Sequence, residues 1–474
     1  MSRLFLASLA VGIVASSFAQ VPEPFFKPEE VTKIRDYWVL PGRYVQAPPP
    51  EHKQVGLWQV RLTVDGSQWL WNYNKVKGGA APPGTDLAPR NQEQKVWEAW
   101  IESKLKRDRW EAFQIARTSN KDSLGIDAPR ADASISIIEP PAPKPMPDAL
   151  LKLVGSPPAF AEAAVPMLHT IAFEDKTLLY RDHVRPSSPR YAYFRFDQGV
   201  MSAGSPVKEM SDQELSGLFE KAQVAPNAAK VMRGISILEG GFDSINTYDT
   251  GFVSVGFIQF ACLKEGSGSL GGVLLRLKAD AKDDFEANFR RFGLDVAPNG
   301  EMVALDLDTG VEKVGSLAAL QIIQDRRLIA VFQRAGQVSE AFRVAQVRIA
   351  FDNYWPMKEK VTVKYGDQTI TGIVSDLIKS EAGIATLFDR KVNRGKIWPL
   401  EDVLNELAPQ VKPTTLADFA KFEKLIVQKM KYRRDYLLDK NLSQPADPPP
   451  LRGSRAASAQ TNRKGSRTGR KKSG

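Results

Sequence analysis

Five prolines fall within nine residues, Glu139-Pro-Pro-Ala-Pro-Lys-Pro-Met-Pro147. Proline fixes φ and has no amide hydrogen, so this run holds neither helix nor sheet pairing and reads as a semi-rigid spacer. The chain has 474 residues, 43% of them hydrophobic, enough to build more than one core. The expected organisation is therefore a signal peptide at 1–19, a Trp-rich mixed α/β region at 20–137, the Pro-rich linker at 138–149, a larger domain at 150–440 and a disordered basic tail at 441–474.

Arg3 precedes an apolar run, Leu4 to Ala15, shorter than the roughly 20 residues that span a bilayer. Ser17-Phe-Ala19 then offers small residues to a signal peptidase, and cleavage is expected after Ala19. The mature protein is expected to be secreted or periplasmic, with no integral membrane segment. Its one cysteine, Cys262, cannot close an intrachain disulfide, so the fold must rest on its cores. Cys262 ends an apolar run and suits core packing better than catalysis. The histidines, His52, His169 and His183, are too scattered for a zinc site, and no metal is expected.

The net charge of +10 is concentrated at the end, where eight basic residues from Arg452 to Lys472 face only Asp447. No aromatic residues interleave with them, so specific nucleic-acid binding is not indicated. Anionic wall polymers or headgroups are nearer partners, and a solvating tail explains the charge equally well.

Leu57 to Tyr73 resembles a hairpin turning at Asp65-Gly66. Residues 92–117 repeat apolar positions at helical spacing. Leu168–Phe173, Thr177–Arg181 and Tyr191–Phe196 suggest a small β element. Ser211-Asp-Gln-Glu214 matches a capping box, and Pro226 opens a helix through Val231, Met232, Ile235 and Leu238. Helices are expected again over 271–292, 315–351 (one or two), 370–388, 400–407 and 415–438.

The stretch richest in chemistry follows Pro226. Glu239 ends the apolar helix ahead of Gly240-Gly241, a helix stop signal. A carboxylate there meets the negative end of the helix dipole, and shielding from water would raise its pKa toward that of a general acid. Runs over 242–248 and 252–260 form a hairpin turning at Asp249-Thr-Gly251. Asp249 is then placed to face Glu239 across a cleft, with Asp243 as the alternative carboxylate. Two carboxylates in unlike environments are what glycosidic cleavage uses: one protonates the leaving oxygen, and the other attacks, stabilises or activates water. The plainer reading is a solvated helix end and a routine Asp-Thr-Gly turn.

Glu239, the 249–251 turn, Ser254, Gly256 and Gln259 together resemble the lysozyme-like superfamily of lysozymes, lytic transglycosylases and chitosanases. Ala385 to Gly395 is similar to a second-lobe helix of bacterial and phage muramidase-like domains. The resemblance covers residues 205–440. It implies a mainly α-helical α+β domain with a β-hairpin at its cleft, Glu239 as general acid, Asp249 as partner carboxylate, and Tyr248, Ser254 and Gln259 shaping a sugar site. Gly240 stands where transglycosylases usually carry Ser, a departure from their non-hydrolytic chemistry. The implied substrate is a β-linked amino-sugar polymer such as peptidoglycan. The alternative is an envelope protein that binds such a glycan without turnover.

Gly266-Ser-Gly-Ser-Leu-Gly271 also matches the dinucleotide fingerprint G-x-G-x-x-G. No βαβ repeat surrounds it, so no nucleotide cofactor is expected, and a loop leading into a helix explains it.

Overall fold

The computed structural model describes residues 23–48, 59–78, 89, 91–124, 138–164, 167–181, 199–236, 240–248 and 251–450. Its class is α+β: helices surround several small sheets, and every strand pairing among the described residues is antiparallel. The expected signal segment, Tyr191–Phe196 and the tail beyond residue 450 lie outside the described residues.

A smaller core forms between two helices, α1 (Val64–Gly78) and α2 (Gln92–Leu124). The expected hairpin at Asp65-Gly66 is replaced by a strand, β1 (Gln59–Leu62), running into α1. Thr63 decides this: its Oγ1 accepts the Gly66 amide at 3.0 Å and its carbonyl accepts the Ser67 amide at 2.8 Å. That is an N-cap, and it turns Asp65 into a first-turn acid favoured by the helix dipole. Trp69, Leu70 and Tyr73 then share one face and pack with Trp97, Trp100, Ile101 and Phe160. The helical spacing expected over 92–117 is present in α2.

The proline run lies against α2. Trp100 Nε1 donates to the Lys144 carbonyl at 2.8 Å, and Arg107 binds Glu139 at 2.6 Å and the Pro140 carbonyl at 3.2 Å. Two sheets cross the expected linker at 138–149. Strand β1 pairs with β2 (Ala161–Ala164), and Tyr44–Ala47 pairs with β3 (Leu168–Ala172), itself paired with β4 (Thr177–Arg181). Phe26, and Ile34 and Trp38 from a helix at Pro28–Val39, belong to the larger core. Trp38 Nε1 reaches the Phe292 carbonyl at 3.2 Å. The first described residues thus pack with the C-terminal body rather than with the Trp-rich helices.

The larger core is organised around α3 (Arg326–Val338), nearly all of whose residues are buried. Three helices, not one or two, fill 315–351: Ser316–Gln324, α3 and Glu340–Tyr354. Asp325 and Ser339 separate them, accepting the amides of Arg327 (2.9 Å) and Phe342 (3.0 Å) as N-caps. The helix expected over 370–388 begins instead as a strand. Lys360–Tyr365 pairs with Gln368–Ile373 across a turn at Gly366 (φ +59°), with Val361, Val363 and Ile370 buried. Helix resumes at Val374–Leu377 and at α4 (Glu381–Arg394). The region 415–438 is broken into two 3₁₀ turns flanking one helix, Glu423–Met430.

The glycines of 266–271 serve close backbone approach. A Cβ on Gly266 would meet the backbone of Gly315, and one on Gly271 the carbonyl of Gly300. The helix that follows, Ser269–Asp280, leaves an antiparallel strand pair.

Candidate functional site

Helix α5 (Pro226–Ser236) carries the chain toward the segment of interest. Proline suits its first turn, and Val231, Met232 and Ile235 bury one face. It packs against α4, with Lys230 Nζ on Glu381 at 2.8 Å. The paired lysine and the Ser443 backbone and hydroxyl outweigh the effect of burial and hold the Glu381 carboxyl below its usual range.

Beyond α5 a four-stranded antiparallel sheet forms from Met201–Ser202, β5 (Ile245–Asn246), β6 (Ser254–Val255) and β7 (Phe260–Ala261). Ile245 pairs with Val255 and Asn246 with Ser254; Ser254 also faces Ala261. These strands are only two residues long, too short to hold themselves.

Buried polar side chains supply the difference. Asp243, 2% exposed, accepts the Ser205 amide at 2.7 Å on Oδ1 and the Gln337 amide group at 2.8 Å on Oδ2. Gly336 lets α3 approach so closely that a Cβ there would strike the Asp243 backbone. Ser244 Oγ donates to the Gly256 carbonyl at 2.8 Å and accepts Gln259 Nε2 at 2.7 Å. Gln346 Nε2 donates to the Phe242 carbonyl at 3.0 Å, while its Oε1 accepts the Phe257 amide at 3.3 Å. Beneath the sheet, Tyr180 donates to Gln333 Oε1 at 2.5 Å and Gln333 Nε2 to Ser202 Oγ at 3.0 Å. Burial, and secondarily the Asp243 carboxylate, push the Tyr180 hydroxyl far above its usual pKa.

Backbone strain collects in the same place. Phe252 (φ +61°), Gln259 (φ +58°) and Leu263 (φ +58°) are left-handed without being glycine. Such residues persist where surrounding contacts over-determine them.

Glu239 and Asp249, expected to be the catalytic pair, lie outside the described residues. The structure does describe the elements on either side of both. Asp243, the alternative carboxylate, is buried with both its oxygens engaged and clamps the sheet to the helix behind it. Tyr248 and Ser254 are buried at 5% and 6% exposure, and Gln259 is half-buried with its amide nitrogen bonded inward. Cys262 is fully buried, and that burial pushes its thiol up to about 12, consistent with packing and not with a nucleophile. No group of three metal-ligating side chains occurs among the described residues.

Ser205, Gln337 and Gln346, which hold this frame, carried no signal in the sequence. Gln337 and Gln346 sit 94 and 104 residues from the atoms they bind, and amides on helices mark nothing until those helices are packed.

Comparisons with protein families, with characterised proteins and with solved structures find no match for this chain.

Proposed function

We propose that this chain is an exported protein with a lysozyme-like domain that hydrolyses a β-linked amino-sugar polymer of the peptidoglycan type. Glu239 gives its proton to the leaving glycosidic oxygen, and Asp249 stabilises or attacks the developing cation or activates water. The observation that carries this reading is the order of elements. Helix α5 is described through Ser236, three residues before Glu239 in sequence, and a pinned strand pair follows from Ile245, with Asp249 falling between β5 and β6 in sequence. A strained, polar-clamped frame of this kind suits a chain that must present two carboxylates from fixed positions.

A specific observation favours the second reading, a glycan-binding envelope protein without turnover. Tyr248 and Ser254 are buried and Asp243 is fully engaged, so side chains assigned to the sugar serve the frame instead.

The Glu239→Gln variant separates the two. For an enzyme, purified protein releases reducing ends from peptidoglycan and the variant loses about 10²–10⁴-fold in rate, the usual contribution of a general acid. Equal sedimentation with the polymer and no soluble product from either protein rejects the hydrolase.

A further inference from the structure

Helix α4 ends at Gly395 (φ +69°), and the chain beyond it carries Trp398, 57% exposed. Among the described residues no other aromatic side chain is classed as exposed. Trp398 is held from beneath by Arg390, itself only 7% exposed. Arg390 donates to the Trp398 carbonyl at 2.9 Å and, from the neighbouring loop, to the Met430 and Lys431 carbonyls at 2.6 and 3.1 Å. One buried guanidinium thus staples two surface loops together, and its planar fork suits several carbonyl acceptors.

The stapled loops carry positive charge. Arg390 and Arg394 both lie over the Tyr432 ring, at 5.2 and 5.3 Å from its centroid. Of the carboxylates nearby, Asp389 is paired with Arg433, Asp435 with Lys431 and Glu359 with Lys391, and Glu401 accepts the Thr362 amide, while Asp402 is exposed in the first turn of the helix that follows Trp398. Arg394 and Lys396 are exposed and have no carboxylate partner among the described residues. Arg394 sits in the last helical turn, where the dipole favours a cation. That accounts for neither Lys396, past the cap, nor the bare indole.

From this juxtaposition we infer that Trp398, Arg394 and Lys396 form a binding platform for a polysaccharide that carries carboxylates. The flat apolar indole takes a sugar ring, and the two cations take its acidic substituents. The inference rests on the glycan reading above and narrows its substrate class to an acidic amino-sugar polymer over a neutral one. It does not need Glu239 to be catalytic.

The test measures binding apart from turnover, using the full chain carrying Glu239→Gln so that the polymer is not consumed. The basic tail is the same in every variant. Co-sedimentation is measured with insoluble peptidoglycan, with chitin and with anionic phospholipid vesicles, at low and high salt. Trp398→Ala and the paired Arg394→Glu/Lys396→Glu change are each expected to weaken peptidoglycan binding about tenfold, with melting temperatures unchanged. Trp398→Phe should retain most of it, and chitin should bind more weakly and ignore the charge reversal. The inference is overturned if the variants sediment like the parent, if chitin binds as well as peptidoglycan, or if vesicles compete equally and Trp398→Ala has no effect. A chain that binds as described yet yields no product with Glu239 intact refutes the hydrolase and leaves the platform standing.

Discussion

In the smaller core, Trp69 stacks on Tyr73 with centroids 6.1 Å apart and packs against Phe160 at 5.4 Å, while its indole nitrogen donates to the Gly155 carbonyl at 3.0 Å. Around residues 240–262 the work falls instead on Asp243, Ser244, Gln259 and Gln346, which tie together strands too short to pair unaided. The first region is held by area and shape. The second is held by direction, because each buried donor or acceptor is satisfied at one geometry only. Apolar packing loses stability in proportion to what is removed, whereas a polar frame that loses one member leaves its partners unsatisfied.

Two substitutions test this contrast, and a third tests a single carboxylate cap outside both regions. The largest effect is expected from Trp69→Ala, which removes the central ring of the smaller core and should cost about 3–5 kcal/mol. Hydrogen exchange should show the loss across α1 and α2, with protection around 242–262 retained. Protection falling equally in both regions would show that they open as one unit. Asp243→Ala comes next, at about 1–3 kcal/mol, since it takes the acceptor from the part-buried Ser205 amide and Gln337 side chain. Denaturant unfolding measures it, and a change below about 0.5 kcal/mol would deny the frame its reliance on the carboxylate.

The smallest effect belongs to Asp418, which caps the 3₁₀ turn Leu416–Phe422 by accepting the Thr414 and Thr415 amides at 2.8 and 2.9 Å. Those hydrogen bonds hold its carboxyl down at about 2, against 3.8 in an unstructured chain. Because the folded value is the lower one, the contribution is complete above about pH 4 and disappears as pH falls through about 2. Asp418→Asn should lower the melting temperature slightly at neutral pH, by less than about 1 kcal/mol of stability. The difference from the parent should vanish near pH 2, and a difference that persists there would assign the effect to something other than charge.

What could be read in advance was local. The Ser211 cap is present, with Oγ accepting the Glu214 amide at 3.1 Å, and α2 follows its apolar spacing. Both depend on residues three or four apart. Asp65-Gly66 misled because a turn dipeptide and a first helical turn share composition, and Thr63 with its downstream apolar face decides between them. The strand at Gln368–Ile373 was missed because an isolated apolar position such as Ile370 fits either period. Its partner Lys360–Tyr365, with Val361 and Val363 turned inward, resolves the choice. For the candidate site, the order of helix and short strands was legible from apolar runs and glycine stops. The engagement of both Asp243 oxygens was not, because it depends on Gln337 arriving from α3.

Sequence alone determined the Ser211 cap, the helix opening at Pro226 and which positions are apolar, since these follow from near-neighbour spacing and backbone preference. Tertiary structure decided which carboxylate became a clamp, which tryptophans were buried, and that Trp398 stayed bare beside two unmatched cations. Those outcomes depend on burial and on hydrogen-bond partners far along the chain, and neither exists until the elements have packed.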